Sequence, residues 1–335
     1  MKLYKIMFFC SMMFGTILAI SSYSWLSMWI GLEINLLSFI PLMTNSKNMY
    51  PSEAALKYFI TQTLASNIFL FTLIIMMQFY TQLTLELNTS LLMLLNSALF
   101  LKLGMAPFHF WLPEVISGLN WNNSLILLTW QKIAPMILIM YNLNNLFFIS
   151  MIILFSSLTG GIQNFNQTNL QKFLAYSSIN HMAWMTASML VSFSIWLIYF
   201  IFYMTVTLNI IMIFKMFNIF KLNQLFNIMT NSKMTKFFFI LNFLSLSGLP
   251  PFLGFLPKWL TLNFLINNKF FILSLFLVIF TLISMYIYLR ITFTSITMNS
   301  QETIMFKFHN PMFLMMNLNF LSLCGLMSIT LLYLF

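Results

Sequence analysis

The chain is predicted to be an all-α polytopic membrane protein of about 11 transmembrane helices, built as two inverted five-helix repeats plus a C-terminal helix. Three observations lead there. Hydrophobic residues fill 61% of the 335 positions and charged residues only 6%, far below the roughly 25% charge of a soluble domain, so a water-facing surface cannot be built. Apolar stretches recur at the length a helix needs to cross a hydrocarbon core, about 20 residues for about 30 Å. Two of these stretches are too long for one simple crossing, and Gly and Pro break both at corresponding places.

Apolar windows set against polar or Pro/Gly punctuation give spans at 4–22, 25–43, 54–79, 89–119, 123–142, 145–163, 170–191, 195–220, 236–266, 270–296 and 312–334. Connections are short, the longest being loops at 221–235 and 297–311, and no linker divides the chain, so 1–335 reads as a single membrane domain. The charges test this count. With the N-terminus on one side, Lys2, Lys5, Lys47, Lys57, Lys172, Lys215, Lys221, Lys233, Lys236, Arg290 and Lys307 fall on or near that side, and only Lys269 falls opposite. Lys and Arg collect on the inside of a membrane. The N-terminus is therefore expected inside and the C-terminus outside.

The fourth span is interrupted by Gly104-Met105-Ala106-Pro107 and the ninth by Gly248-Leu249-Pro250-Pro251. They stand five helices apart. Because five is odd, a repeat at 4–142 and a second at 145–296 must run in opposite senses, with 312–334 appended. Broken helices at matching positions of inverted repeats mark the ion pathway of secondary transporters. Carbonyls and amides freed at such breaks are tolerated only inside protein or along a wet cavity. One proline kink is ordinary in a membrane helix; two at symmetric places, each near a buried lysine, are read as functional.

Glu33 lies near the middle of the second span and Lys132 near the middle of the fifth, while Lys102 and Lys258 sit close to the two breaks. Each such charge costs roughly 2.5–3.5 kcal/mol on insertion scales. Snorkelling does not remove that cost at the midplane, about 15 Å from either interface. A structural pairing of Glu33 with one lysine is the better alternative, and it leaves two lysines unexplained. Burial favours a neutral amine and a nearby carboxylate favours the ammonium, so a lysine whose partner approaches or retreats takes up or releases a proton. Glu33, Lys102, Lys132 and Lys258 are thus read as a proton relay forming one file, with Lys132 as its bridge. His109 and His181 could extend it, since histidine titrates near neutral pH, or serve as hydrogen-bonded packing residues. Glu53 and Lys57, spaced i, i+4, read as an ordinary ion pair.

Other chemistries lack a motif. The net charge of +10 comes from 15 scattered basic residues with no basic run, which argues against nucleic acid. No GxGxxG, Walker, HExxH or GxSxG sequence is present, so no nucleotide, soluble small-molecule substrate or metal site is expected. Cys10 and Cys324 belong to no CxxC pair, which speaks against a disulfide framework or a cysteine-held cluster. The residues after Met1 show no Arg-rich, Ser-rich presequence. Forty Phe and 29 Met against one Arg, four Val and no Asp suit synthesis from an AT-rich organellar genome.

The segments GLEINLLSFIPL (31–42), EAALKYFITQ (53–62), APFHFWLPEV (106–115), WQKIAP (130–135), AYSSINHMAW (175–184) and FLSLSGLPPFLGFLPKW (243–259) resemble the antiporter-like membrane subunits of mitochondrial NADH:ubiquinone oxidoreductase, respiratory complex I. The likeness runs from about residue 25 to 295 and is greatest to the chain 2 type, since Glu114-Val115 stands where the larger antiporter-like chains carry a histidine. The resemblance implies a fourteen-helix plan shortened by three helices at the N-terminus, which fits eleven. It implies that Glu33, Lys102, Lys132 and Lys258 take the places of the family's glutamate and lysines. Proton translocation would be driven by quinone reduction elsewhere, with NADH, FMN, iron–sulfur clusters and ubiquinone bound by other subunits. Implied partners are other membrane subunits of complex I and membrane lipid. The implied location is the mitochondrial inner membrane, N-terminus to the matrix and C-terminus to the intermembrane space. The alternatives are a subunit of a multi-subunit sodium/proton antiporter and a purely structural membrane scaffold.

Overall fold

A computed structural model describes residues 3–44, 48–78, 85–229, 233–250, 252–297 and 319. Among these residues the regular structure is helical. Leu3–Ser21, Trp25–Met43, Met49–Gln78, Trp121–Met140, Phe193–Met216 and Phe271–Thr297 are long and apolar enough to cross a membrane, and Thr89–Leu103, Leu146–Ile162 and Met234–Ser247 are shorter apolar helices. Multiple crossings follow. The span expected at 312–334, apart from Asn319, lies outside the described residues, as do Pro251 and Cys324. The chain forms two compact units, Met1–Ile152 and Ile153–Phe335.

In the first unit, α1 (Leu3–Ser21) and α2 (Trp25–Met43) pack through small residues. A Cβ on Gly31 would lie 2.6 Å from the Ala19 amide nitrogen, and one on Gly15 would lie 2.9 Å from that of Asn35. Only glycine admits this approach, the usual device for close helix contact in lipid. Helix α3 (Met49–Gln78) packs against α2, α4 (Leu85–Leu103) and α5 (Trp111–Gly118). The expected Glu53–Lys57 pair forms, at 3.0 Å, and Lys57 also reaches Glu114 of α5 at 3.0 Å. One lysine thereby ties the start of α3 to the first turn of α5.

The single helix expected at 123–142 is instead α6 (Trp121–Leu128), a 3₁₀ turn at Trp130–Lys132 and α7 (Ile133–Met140). Pro135 is the physical reason. It has no N–H for the Gln131 carbonyl four residues back, and its ring crowds that carbonyl, so the α ladder tightens before it. Lys132 therefore sits at a third helix interruption.

Helix α8 (Leu146–Ile162) crosses the chain boundary between units. In the second unit, α9 (Leu170–Met189) is buried along almost its whole length and packs against α10 (Phe193–Met216), α13 (Phe255–Asn267) and α14 (Phe271–Thr297). It is too polar to count as a span by hydropathy because its Ser, Thr, Asn and His face protein rather than lipid. The expected loop at 221–235 contains a short helix, α11 (Leu222–Met229), followed by α12 (Lys233–Ser247). Bonds from Leu170 N to Phe220 O (2.9 Å) and from Leu222 N to Thr168 O (3.0 Å) bring the start of α9 to the end of α10. Lys236 Nζ donates to Ile296 O at 3.3 Å, bringing the start of α12 to the end of α14. Antiparallel packing leaves Lys269, in the α13–α14 turn, at the far end of α14 from that bond.

Candidate functional site

Both broken helices end in the same way. Gly104 has φ 73° and Gly248 φ 78°, left-handed values that glycine adopts without a Cβ penalty. At the first break Met105 N donates to Phe100 O and Gly104 N to Leu101 O; at the second Leu249 N donates to Leu244 O and Gly248 N to Ser245 O. This is the Schellman pattern, which ends a helix and satisfies its inner carbonyls. Pro107 follows the first cap and Pro250 the second, where a helix cannot resume at once.

Side-chain donors add to these backbone bonds at the helix ends. At the first break Trp111 Nε1 donates to Leu101 O at 3.0 Å and Gln62 Nε2 to Lys102 O at 3.3 Å. At the second, Lys258 Nζ itself donates to Ser247 O at 2.9 Å. A Cβ on Gly248 would lie 2.9 Å from Lys258 Cδ. The glycine is needed twice, for the left-handed turn and for the lysine's path. The two lysines hold different stations: Lys102 lies before its cap, and Lys258 returns to its cap from the following helix.

Lys102, Lys132 and Lys258 are 7%, 2% and 8% exposed, so none of them is a surface lysine of its unit. Lys102 and Lys132 face one cavity of ≈ 20 Å³, room for about one water. Asn35, Tyr58, Gln62 and Gln131 supply its neutral polar lining. Glu33 is half-buried, and its Oε1 has no hydrogen-bond partner among the described residues. No lysine forms an ion pair with it among the described residues. The pairing alternative is thus not a contact ion pair.

In the second unit His181 Nδ1 lies 3.1 Å from Tyr199 Oη, with the Tyr203 ring 5.3 Å from its own. These three line a small cavity with Ser245, Gly254 and Pro257 of the broken helix. Lys258 Nζ lies 5.9 Å from the centre of the Trp184 ring, on the helix that carries His181. His109 is buried in the loop of the first break, its ring tilted against that of Phe110 with centroids 4.3 Å apart, and is not part of the Lys102–Lys132 cavity wall. Among the described residues no group of three or more His, Cys, Asp or Glu side chains could hold a metal ion.

Sequence reasoning singled out the charged residues and passed over the neutral ones that join them. Asn35, Tyr58, Gln62 and Gln131 all lie inside the motif segments, and Tyr58 and Gln62 share a helix face by i, i+4 spacing. A polar side chain held within an apolar span was the available signal.

A family model described as NADH:quinone oxidoreductase/Mrp antiporter, transmembrane, matches residues 22–284. The NADH-ubiquinone oxidoreductase chain 2 of Anopheles gambiae is 46% identical over 339 residues, covering 99% of this chain and 98% of that protein. The chain 2 of Aedes aegypti is 47% identical over 338 residues, covering 99% of each. Among solved structures, a chain of respiratory complex I from Thermus thermophilus with bound aureothin matches with a TM-score of 0.85 at 22% identity, covering 97% of this chain and 79% of that one. This last likeness is one of fold.

Proposed function

Because the chain belongs to the NADH:quinone oxidoreductase/Mrp antiporter transmembrane family, we propose that it is the proton-translocating, antiporter-like membrane subunit of an NADH:ubiquinone oxidoreductase and moves protons through a buried Glu/Lys relay. The observation that carries the relay is the cavity that Lys102 and Lys132 share. Glu33 stabilises the ammonium form of Lys102, and withdrawal of that charge lets the buried amine release its proton. A water in the cavity takes it towards Lys132. Lys258 plays the corresponding part in the second unit, where its bond to Ser247 O holds the ammonium at a helix C-terminus, the end that favours cations. His109 and His181 stand as side branches of this relay. The drive is quinone reduction elsewhere in the assembly, and other subunits carry NADH, FMN, the iron–sulfur clusters and ubiquinone. We place the chain in the mitochondrial inner membrane among other membrane subunits, with eleven crossings in two inverted repeats and a C-terminal helix, N-terminus to the matrix and C-terminus to the intermembrane space.

The test is Lys132→Met in the assembled complex reconstituted into vesicles. Methionine keeps the length, removes the proton-binding amine and relieves a buried charge. The expected result is normal assembly, retained electron entry from NADH and lost proton translocation. Glu33→Gln is expected to slow translocation in the same preparation. A Lys132→Met complex that assembles and pumps at the wild-type proton-to-electron ratio ends the relay reading. Translocation that follows sodium rather than protons would favour the sodium/proton antiporter alternative.

A further inference from the structure

The turn that carries Lys132 is poorly held by its own backbone. Pro135 removes one ladder bond, and Lys132 N reaches Thr129 O at 3.3 Å in 3₁₀ fashion. The two residues before Lys132 each grip a different helix instead. Trp130 Nε1 donates to Thr16 Oγ1 of α1 at 3.2 Å, and Gln131 Nε2 donates to Asn35 Oδ1 of α2 at 2.9 Å. Both acceptors stand at the α1–α2 crossing, where Gly15, beside Thr16, packs against the backbone of Asn35. Asn35 is only 4% exposed, and both amides line the Lys102–Lys132 cavity. Asn35 is also two residues from Glu33 on the same rigid helix.

We propose that Asn35 and Gln131 are positioning residues for Lys132, an amide pair that sets the 3₁₀ turn against the Glu33-bearing helix and so aims the lysine into the cavity. Neither amide carries the proton, since neither titrates in the working range. This inference rests on the relay reading above. A shift of α2 moves Glu33 and, through the amide bond, the turn of Lys132 together, so both ends of the first-unit relay answer to one helix.

The experiment uses the assembled complex in vesicles and compares Gln131→Met, Asn35→Leu and the exchanged pair Asn35→Gln/Gln131→Asn, with Lys132→Met as reference. Each single change removes one partner of the bond at similar volume; the exchange keeps an amide on each side. Both single variants are expected to assemble and oxidise NADH with a water-soluble acceptor as the wild type does, while proton translocation slows by up to about a hundredfold, the scale of a misplaced reacting group. The pH profile of translocation is expected to shift in both, and the exchanged pair to restore rate and profile. A Gln131→Met complex that pumps at the wild-type rate and pH profile overturns the proposal. So does an assembled exchanged pair that pumps no better than the single variants. If a single variant does not assemble, the exchanged pair decides alone: restored assembly with the wild-type profile supports the pair, and failed assembly overturns it. If Lys132→Met pumps normally, the relay reading fails; if it is silent while Gln131→Met is normal, only the positioning inference fails.

Discussion

At the scale of single residues, the two cap glycines do more than end helices. Any L-residue at Gly248 incurs a left-handed backbone penalty of roughly 1–2 kcal/mol and places a methyl group against the Lys258 side chain. Gly248→Ala is expected to lower the thermal stability of the complex and break the Lys258–Ser247 bond, with translocation lost more severely than assembly. Gly161 offers the control. Its Cβ would meet nothing closer than 3.4 Å, at Phe280 O, so Gly161→Ala is expected to leave both measurements unchanged. Thermal unfolding of the purified complex together with vesicle pumping checks the pair, and equal effects at the two glycines would remove the special place given to Gly248.

At the scale of elements, the lysines of the proposed relay stand where helices fail to be regular. Two interruptions come from Gly and Pro at caps; the third is the 3₁₀ turn that Pro135 imposes four residues after Gln131. Replacing Pro135 with Ala restores an N–H to the ladder and removes a helix-interior penalty of up to about 3 kcal/mol. Pro135→Ala is expected to join α6 and α7 into one helix, to leave or raise stability, and to slow translocation because Lys132 turns from the cavity. Wild-type translocation in a stable Pro135→Ala complex would show that the interruption is incidental. The α1–α2 crossing has the opposite vulnerability. Gly31→Val drives a branched side chain into the Ala19 backbone, an overpacking that costs on the order of 1–3 kcal/mol or more. Reduced assembly, read as the amount of intact complex on a native gel, is the expected outcome.

At the scale of the whole molecule, the proposed orientation rests on charge placement. Lys236 is tied to the end of α14, and Lys269 stands at that helix's other end. Single cysteines at these two positions are therefore expected to be labelled by an impermeant reagent from opposite faces of the membrane, 236 from the matrix face. Labelling of both from one face would refute the crossing count between them. The Glu53–Lys57–Glu114 cluster is exposed, and exposed pairs are weak and screened by salt. Glu114→Gln is accordingly expected to change neither assembly nor translocation measurably.

Membrane class, most span positions and the four charges within the spans were determined by the sequence alone. Lipid imposes a length and an apolar composition on every crossing helix, and an ionised side chain inside one is conspicuous because it is so costly. Gly104 and Gly248 were legible for a similar reason, since glycine followed closely by proline can hardly continue a helix. The partners of those charges were decided only by tertiary structure. Nothing local says that Gln131 reaches Asn35, 96 residues away, or that Lys258 returns to Ser247 while Gln62 reaches the carbonyl of Lys102. Neutral amides and hydroxyls are tolerated in membrane helices at modest cost, so they do not stand out in a sequence. Their roles appear once helix packing has brought a donor and an acceptor from distant turns to within 3 Å or so of each other.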